Sequence, residues 1–120
     1  MTDSIFTRSV ALPSGLRVRL RLARPADARP LGELLARRDL PANALDVRRM
    51  LRFDPSRRAV LCAFAPIDGA ETLVGLGAID LHGDADLDTL VVDERIAGGL
   101  AELLGDVLAN RARSHAHRVA

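Results

Sequence analysis

The chain has 120 residues, 48% hydrophobic and 28% charged, with a formal net charge of +1, which fits one globular domain over residues 1–120 and excludes a disordered chain. It has neither an apolar run that could span a membrane nor a signal-peptide pattern, so we expect a cytoplasmic protein without membrane contact. Residues 1–60 carry 13 Arg and 6 acidic residues, whereas residues 61–120 carry 4 and 10, which indicates an anionic ligand or attraction between the halves. Because Trp and Tyr are absent, nucleic acid is not the expected partner.

The first half of the chain predicts an N-terminal strand or hairpin and two helices. Residues 9–24 contain two extended segments around a Pro-Ser-Gly turn, and the second alternates Leu or Val with Arg as a half-buried strand does. A helix begins near Asp27, whose carboxylate can accept from the first N–H groups, and its buried stripe is Leu31, Leu34 and Leu35. A second short helix is predicted over residues 44–53.

The second half predicts three strands and a final helix. Residues 58–65 are a continuous apolar run, typical of a buried strand, and we interpret Cys62 within it as core filling. Turns then lead to the second and third strands, residues 71–81 and 86–92. The last helix is predicted over residues 98–113, with a frayed polar tail at 114–120. The fold class is therefore α/β (α+β), a mostly antiparallel sheet with helices packed on it, in the order β-α-α-β-β-β-α.

The stretch VVDERIAGGLAELL, residues 91–104, has two interpretations. In one, Gly98 and Gly99 form a loop whose backbone N–H groups, with the positive end of the following helix, cradle a phosphate group. In the other, Asp93 is the N-cap of a plain helix whose buried stripe is Ile96, Leu100, Leu103 and Leu104. Two glycines in a helical turn, each costing about 1 kcal/mol, disfavour the second interpretation. The adjacent acids, Asp93 and Glu94, disfavour the first.

Three segments of the chain resemble the GNAT family of acyl-CoA-dependent N-acyltransferases. VRLRLARPADARPLGELLAR is similar to the family's opening strand and first helix, and AVLCAFAPIDGAETLVGLGAIDL to its second and third strands. LVVDERIAGGLAELL resembles its fourth strand and pyrophosphate loop. The resemblance covers most of the chain and lies in the order of these segments. It implies a GNAT-like fold, in a C-terminally truncated or degenerate member.

The resemblance implies that acetyl-CoA is the cofactor. The pantetheine arm would lie along the backbone of the strand at Leu90, Val91 and Val92. The pyrophosphate loop would comprise Arg95, Ile96, Ala97, Gly98, Gly99 and Leu100, with Arg95 and Gly98 at the family's Arg/Gln and middle Gly positions. Leu100 departs from the pattern, because the family has Gly or Ala there.

The family continues past this helix with a fifth strand, which completes the pantetheine cleft, and the sequence has at most the beginning of that strand. We therefore expect the edge of strand 86–92 to pair with a second copy of the chain or with a heteromeric partner. The resemblance implies transfer of an acyl group to a small-molecule or protein amine. The alternative is a catalytically inactive GNAT-like subunit that binds or regulates, and an unrelated small α/β binding domain is a third reading.

The catalytic residues are not identified by the sequence. The family often uses a Tyr as acid, which this chain lacks, and the nearest carboxylates are Asp80, Asp86 and Asp88. The acidic turn LHGDADLD lacks the full calcium-loop pattern. His115 and His117 lack recognisable further ligands, so no metal site is predicted.

Overall fold

The computed structural model describes residues 8–40, 44–51, 57–81, 87–96 and 98–119. Its five strands form one antiparallel sheet in chain order: β1 (Arg8–Ala11), β2 (Arg17–Leu22), β3 (Arg58–Ile67), β4 (Ala70–Asp80) and β5 (Leu87–Val92). The α-helices are α1 (Ala28–Arg37), α2 (Ala44–Leu51) and α3 (Leu100–Val119), and a short 3-10 turn, Pro25–Asp27, precedes α1. This architecture confirms the predicted fold class, and the segment 9–24 forms a β1–β2 hairpin as predicted.

The sheet is covered on both faces. Helix α3 packs on one face through Leu100, Leu104, Leu108 and Ala112, residues at the spacing of a single helical stripe. Helices α1 and α2 pack on the other face, and their buried residues are Leu31, Leu34, Leu35, Val47 and Leu51. The central strand β3 therefore contributes alternate residues to two cores, which is why its sequence is apolar throughout.

Two glycines of β4 let α3 lie close to the sheet. A Cβ at Gly75 would be 3.0 Å from Leu100 Cδ2, and a Cβ at Gly77 would be 2.9 Å from Leu108 Cδ1. Both distances are shorter than an ordinary carbon–carbon contact. Gly75 and Gly77 therefore serve helix packing on the face that carries α3.

The hairpin between β3 and β4 closes through two residues, Asp68 and Gly69, with φ angles of 50° and 80°. Positive φ at both central positions is the mark of a type I′ turn, for which Asp-Gly is a favoured pair. The predicted strands, 58–65 and 71–81, leave five residues between them. The observed turn is tighter, because β3 extends to Ile67 and β4 begins at Ala70.

Helix α3 differs from its predicted bounds at both ends. It begins at Leu100 rather than at residue 98, since Gly99 has a φ of 110°, outside the helical region. It continues to Val119, so the prediction of a frayed tail from residue 114 is wrong. The physical reason is that residues 106–119 contain neither Gly nor Pro, so no residue there breaks the helix. Among the described helices, α3 included, none is both long and apolar enough to cross a membrane.

The arginine face of β2 has acidic and aromatic partners within the chain. Arg21 donates two hydrogen bonds to the buried carboxylate of Asp27, at 2.7 and 2.8 Å, and its guanidinium carbon lies 4.5 Å from the Phe64 ring centroid. Arg19 forms an ion pair with Glu71. Asp27 therefore binds Arg21 and the backbone N–H of Arg24 instead of capping α1. These arginines do not require an external anion.

Candidate functional site

Strand β5 lies at an edge of the sheet as described, because it pairs with β4 alone. The N–H of Asp93 donates to the Val74 carbonyl at 2.8 Å, which places Asp93 in a hydrogen-bonded pair just beyond the strand. Backbone groups alternate in direction along an antiparallel strand, so those of Leu90 and Val92 face away from β4. The side chain of Leu90 is 42% exposed, whereas Val91 is buried against the α1 and α2 face.

The segment after β5 is a turn, and the interpretation of a helix capped by Asp93 is wrong. Asp93 instead closes two turns, since its carbonyl accepts from Ile96 N at 3.1 Å and its Oδ1 from Arg95 N at 2.9 Å. The first backbone bond of α3 runs from Leu103 N to the Gly99 carbonyl at 2.9 Å. The chain therefore forms a strand, a loop and a helix N-terminus in succession, with Ala97 outside the described residues.

The two adjacent glycines of the loop have different roles. Gly99 has a φ of 110°, and a Cβ there would lie 2.9 Å from Pro13 Cδ in the β1–β2 turn. Glycine is therefore required at position 99 by backbone conformation and by packing. Gly98 lacks a positive φ, and an added Cβ would meet no described atom within 4 Å. Nothing in the described chain requires glycine at position 98, and the space beside it is open.

Leu100 does not obstruct the N-terminus of α3. Its side chain is only 1% exposed and packs over Gly75 in the core, so its bulk points towards the sheet. The N–H groups of Leu100, Ala101 and Glu102 precede the Leu103 N–H, which makes the first intrahelical bond of the described chain. Ile96 is half-buried against the same core. The departure from the family's Gly or Ala therefore leaves the backbone at this helix end accessible.

Asp93 is the buried anchor of the loop. Its carboxylate accepts from Arg37 Nε at 3.0 Å and from Arg95 Nη2 at 2.8 Å. Arg37 also donates from Nη2 to the Leu73 carbonyl at 2.9 Å, which ties the end of α1 to β4. The hydrogen bonds from Arg95, with a smaller contribution from Arg37, lower the pKa of Asp93 from 3.8 to about 2. Asp93 is therefore a permanently ionised structural group at neutral pH.

The acid pair that argued against an anion site is neutralised by arginines of α1. Glu94 forms an ion pair with Arg38, as Asp93 does with Arg37. Arg95 also pairs with Asp93 and feels the charge of Asp68, so the charges of the cluster balance. Sequence reasoning missed Arg37 and Arg38 because they lie 56 residues from their acidic partners. Their only signal was the excess of arginine in the first half of the chain.

The remaining candidate residues do not form a site in the described part of the chain. Asp80 is exposed at the end of β4 and interacts with other groups. Asp84 and Asp86 lie outside the described residues, as do the side chains of Asp88, His115 and His117. The described His, Cys, Asp and Glu residues form no group of three that could hold a metal. Burial raises the pKa of the Cys62 thiol to about 12, so it is a poor nucleophile.

Comparison with known proteins identifies the fold. The sequence matches no protein-family model and no curated protein. The structure is similar to a solved structure described as the GNAT domain of S. lividans PAT, with a TM-score of 0.72 and 23% sequence identity. The match covers 91% of this chain and 73% of that chain. At this identity the likeness concerns the fold and not the activity. The chain therefore has the GNAT-like fold that the order of its strands and helices predicted.

Proposed function

We propose that the chain binds acetyl-CoA and acts as an N-acyltransferase. The observation that carries this proposal is Gly98, a glycine that neither backbone conformation nor packing of the described chain requires. It stands at the N-terminus of a long helix, beside open space, in a GNAT-like fold. A phosphate group that approaches the main chain closely would explain why the position lacks a Cβ.

The loop and helix end offer what a diphosphate needs. The first turn of α3 contains N–H groups that lack an intrahelical acceptor, and the helix adds a partial positive charge of about one half at this end. Arg37, Arg38 and Arg95 neutralise the two acids of the loop, Asp93 and Glu94, so these acids do not repel a diphosphate. Together these features support binding of the diphosphate of CoA at the loop.

The free edge of β5 supports a place for the pantetheine arm. The amide groups of the pantetheine arm can pair with the backbone groups of Leu90 and Val92 that face away from β4, much as an added strand would. We expect a strand of a second copy, or of a heteromeric partner, to lie on the far side of the arm and to cover the exposed side chain of Leu90.

The bound thioester would supply an activated acyl group near the β5 edge. The nitrogen of an amine acceptor, from a small molecule or a protein, would form a bond with the acyl carbon and lose a proton, while the C–S bond would break and the thiolate would take up a proton. The chain's contribution is to orient the thioester along β5 and to hold the diphosphate at α3. The general base is not assigned to a residue.

The alternative is a GNAT-like subunit that binds acyl-CoA without transferring the acyl group. Asp93 favours it, because a carboxylate with a pKa of about 2 and two arginine partners is a weak base at neutral pH. Glu94, the other acid beside the loop, is paired with Arg38. The lack of Tyr in the sequence removes the acid that family members often use.

Calorimetric titration with acetyl-CoA tests the proposal. We expect micromolar binding by the wild type and loss of binding in Gly98→Glu, whose added side chain occupies the open space beside the helix end and repels the diphosphate. Gly32→Glu is the matched control, because an added Cβ at Gly32 in α1 also meets no described atom within 4 Å. We expect it to bind as the wild type does.

Three results would separate the hypotheses. A wild type that does not bind at millimolar acetyl-CoA contradicts both the enzyme and the binding subunit. Binding without turnover against a panel of amines favours the inactive subunit. The oligomeric state, measured in the same buffer, tests the expected partner: a chain that binds acetyl-CoA as a monomer would contradict completion of the cleft by a second copy.

A further inference from the structure

The two arginines that bind Asp93 are held to different degrees. Arg37 is 28% exposed and fixed at two points, the Asp93 carboxylate and the Leu73 carbonyl. Arg95 is 48% exposed, and in the described part of the chain its guanidinium bonds only to Asp93. Arg37 therefore belongs to the framework between α1 and β4, whereas Arg95 is a surface side chain that hydrogen-bonds to Asp93 and also feels the charge of Asp68.

Because Asp93 is also paired with Arg37, it would keep an ionic partner without the guanidinium of Arg95. If that guanidinium left, Asp93 Oδ2 would still accept from Arg37 Nε, and Oδ1 would still accept from the backbone N–H of residue 95. Without Arg37, the same departure would leave a buried carboxylate with one backbone donor. Such a carboxylate is costly, because a buried charge needs an ionic partner.

The position of Arg95 relates this pairing to the proposed diphosphate site. It lies in the loop three residues before Gly98, and guanidinium groups bind phosphate with the same two-point geometry that they use for carboxylate. We propose that Arg95 rests on Asp93 in the free chain and transfers to the diphosphate of CoA on binding, while Arg37 keeps Asp93 paired. This inference rests on the proposed function. It adds to that site an internal competitor for Arg95, which is Asp93, and a positioning residue, which is Arg37.

The first test follows side-chain N–H resonances by NMR in the wild-type chain during titration with CoA. We expect the Nε–H signal of Arg95 to shift together with the backbone amide of Gly98, while that of Arg37 stays in place. A shift of Gly98 without a shift of Arg95 would overturn the exchange but leave the proposed function intact. If neither residue responds, the proposed function and this inference both fail.

The second test is a double-mutant cycle in CoA affinity. We expect Arg95→Gln to weaken binding, and Arg37→Gln to weaken it by about tenfold although Arg37 does not touch the ligand, because Arg95 can then no longer leave Asp93. In the Arg95→Gln background, Arg37→Gln should weaken binding clearly less, because only the loss of one positive charge near the site remains. An equal loss in both backgrounds would mean that Arg37 acts only through the fold or through its charge, and would overturn its positioning role.

The matched control for the cycle is Arg29→Gln, which removes an exposed arginine of α1 that pairs with Glu33. It should leave affinity unchanged. If Arg37→Gln does not fold, the resonances of the wild-type chain still decide whether Arg95 changes partner.

Discussion

Replacement of Gly99 by alanine is the most informative test of the loop, because the two adjacent glycines are expected to respond differently. Gly99 has a φ of 110°, and a Cβ there would lie 2.9 Å from Pro13 Cδ. At Gly98 the same added carbon meets no described atom within 4 Å. The two substitutions change the same kind of residue at neighbouring positions, so each serves as the other's control.

The expected loss of stability has two sources. An L-residue at a φ of 110° costs about 1–3 kcal/mol. The contact with Pro13 adds a similar amount, since a proline ring cannot rotate away and the β1–β2 turn must move instead. We therefore expect Gly99→Ala to lower the free energy of unfolding by roughly 3 kcal/mol, and the melting temperature by roughly 10 °C. Gly98→Ala should stay within about 0.5 kcal/mol of the wild type.

Urea unfolding followed by far-UV circular dichroism measures both variants, because the sequence has no Trp or Tyr to report by fluorescence. A Gly99→Ala variant that unfolds at the same urea concentration as Gly98→Ala would refute the reasoning. It would mean that residue 99 does not adopt the left-handed conformation, or that the loop does not pack on the β1–β2 turn.

Three further predictions concern Asp93, Asp39 and Cys62. The pKa of Asp93 is lowered from 3.8 to about 2. The ionised Asp93 therefore stabilises the fold fully above pH 3.8, and this stabilisation is lost as the pH falls towards 2. Asp93→Asn should therefore cost about 2.5 kcal/mol at neutral pH, at about 1.4 kcal/mol per pKa unit. A cost that does not shrink in acid urea titrations would contradict this origin. Asp39 follows α1 with a φ of 59°, and the N–H of Leu40 donates to the Leu35 carbonyl at 2.9 Å. Because glycine adopts a positive φ without strain, Asp39→Gly should raise the free energy of unfolding by about 0.5–1 kcal/mol. An unchanged melting temperature would count against that helix ending. The buried thiol of Cys62, with its pKa raised to about 12, should react with an aromatic disulfide reagent only after denaturation, and rapid reaction of the native chain would disprove its burial.

Local pattern was sufficient to predict most of the fold. The alternation of β2 and the buried stripe of α3 are repeats that each element carries in its own sequence. The Asp68-Gly69 pair likewise determines a turn through its own backbone preferences. These features need no knowledge of distant residues, and they led to the correct order of strands and helices.

Features that depend on distant contacts could not be predicted. The start of α3 depends on Gly99, whose conformation is fixed beside Pro13 in a turn from the other end of the chain. In the sequence, the two acids of the loop argue against an anion site. Their partners, Arg37 and Arg38, come from the distant α1 and neutralise them. Leu100 appeared to block the helix end, but whether a side chain points inward is decided by packing, here against Gly75.

The end of α3 was misjudged for a different reason. The segment after residue 113 is rich in charged and polar residues, a composition that favours a frayed tail. Polarity alone does not end a helix, because arginine and alanine are good helix formers and a helix can be exposed on most of its surface. The absence of Gly and Pro was the more reliable signal in this segment.

The most direct test of the central claim is an NMR titration of the chain's backbone amides with acetyl-CoA. The claim is that the edge of β5, the loop and the N-terminus of α3 together hold this ligand. We predict that the amides of Leu90, Val92 and residues 98–101 shift together at micromolar ligand, while those of β1 at the opposite edge of the sheet do not. Millimolar acetyl-CoA that leaves these amides unmoved, or that shifts only residues elsewhere, would contradict the account.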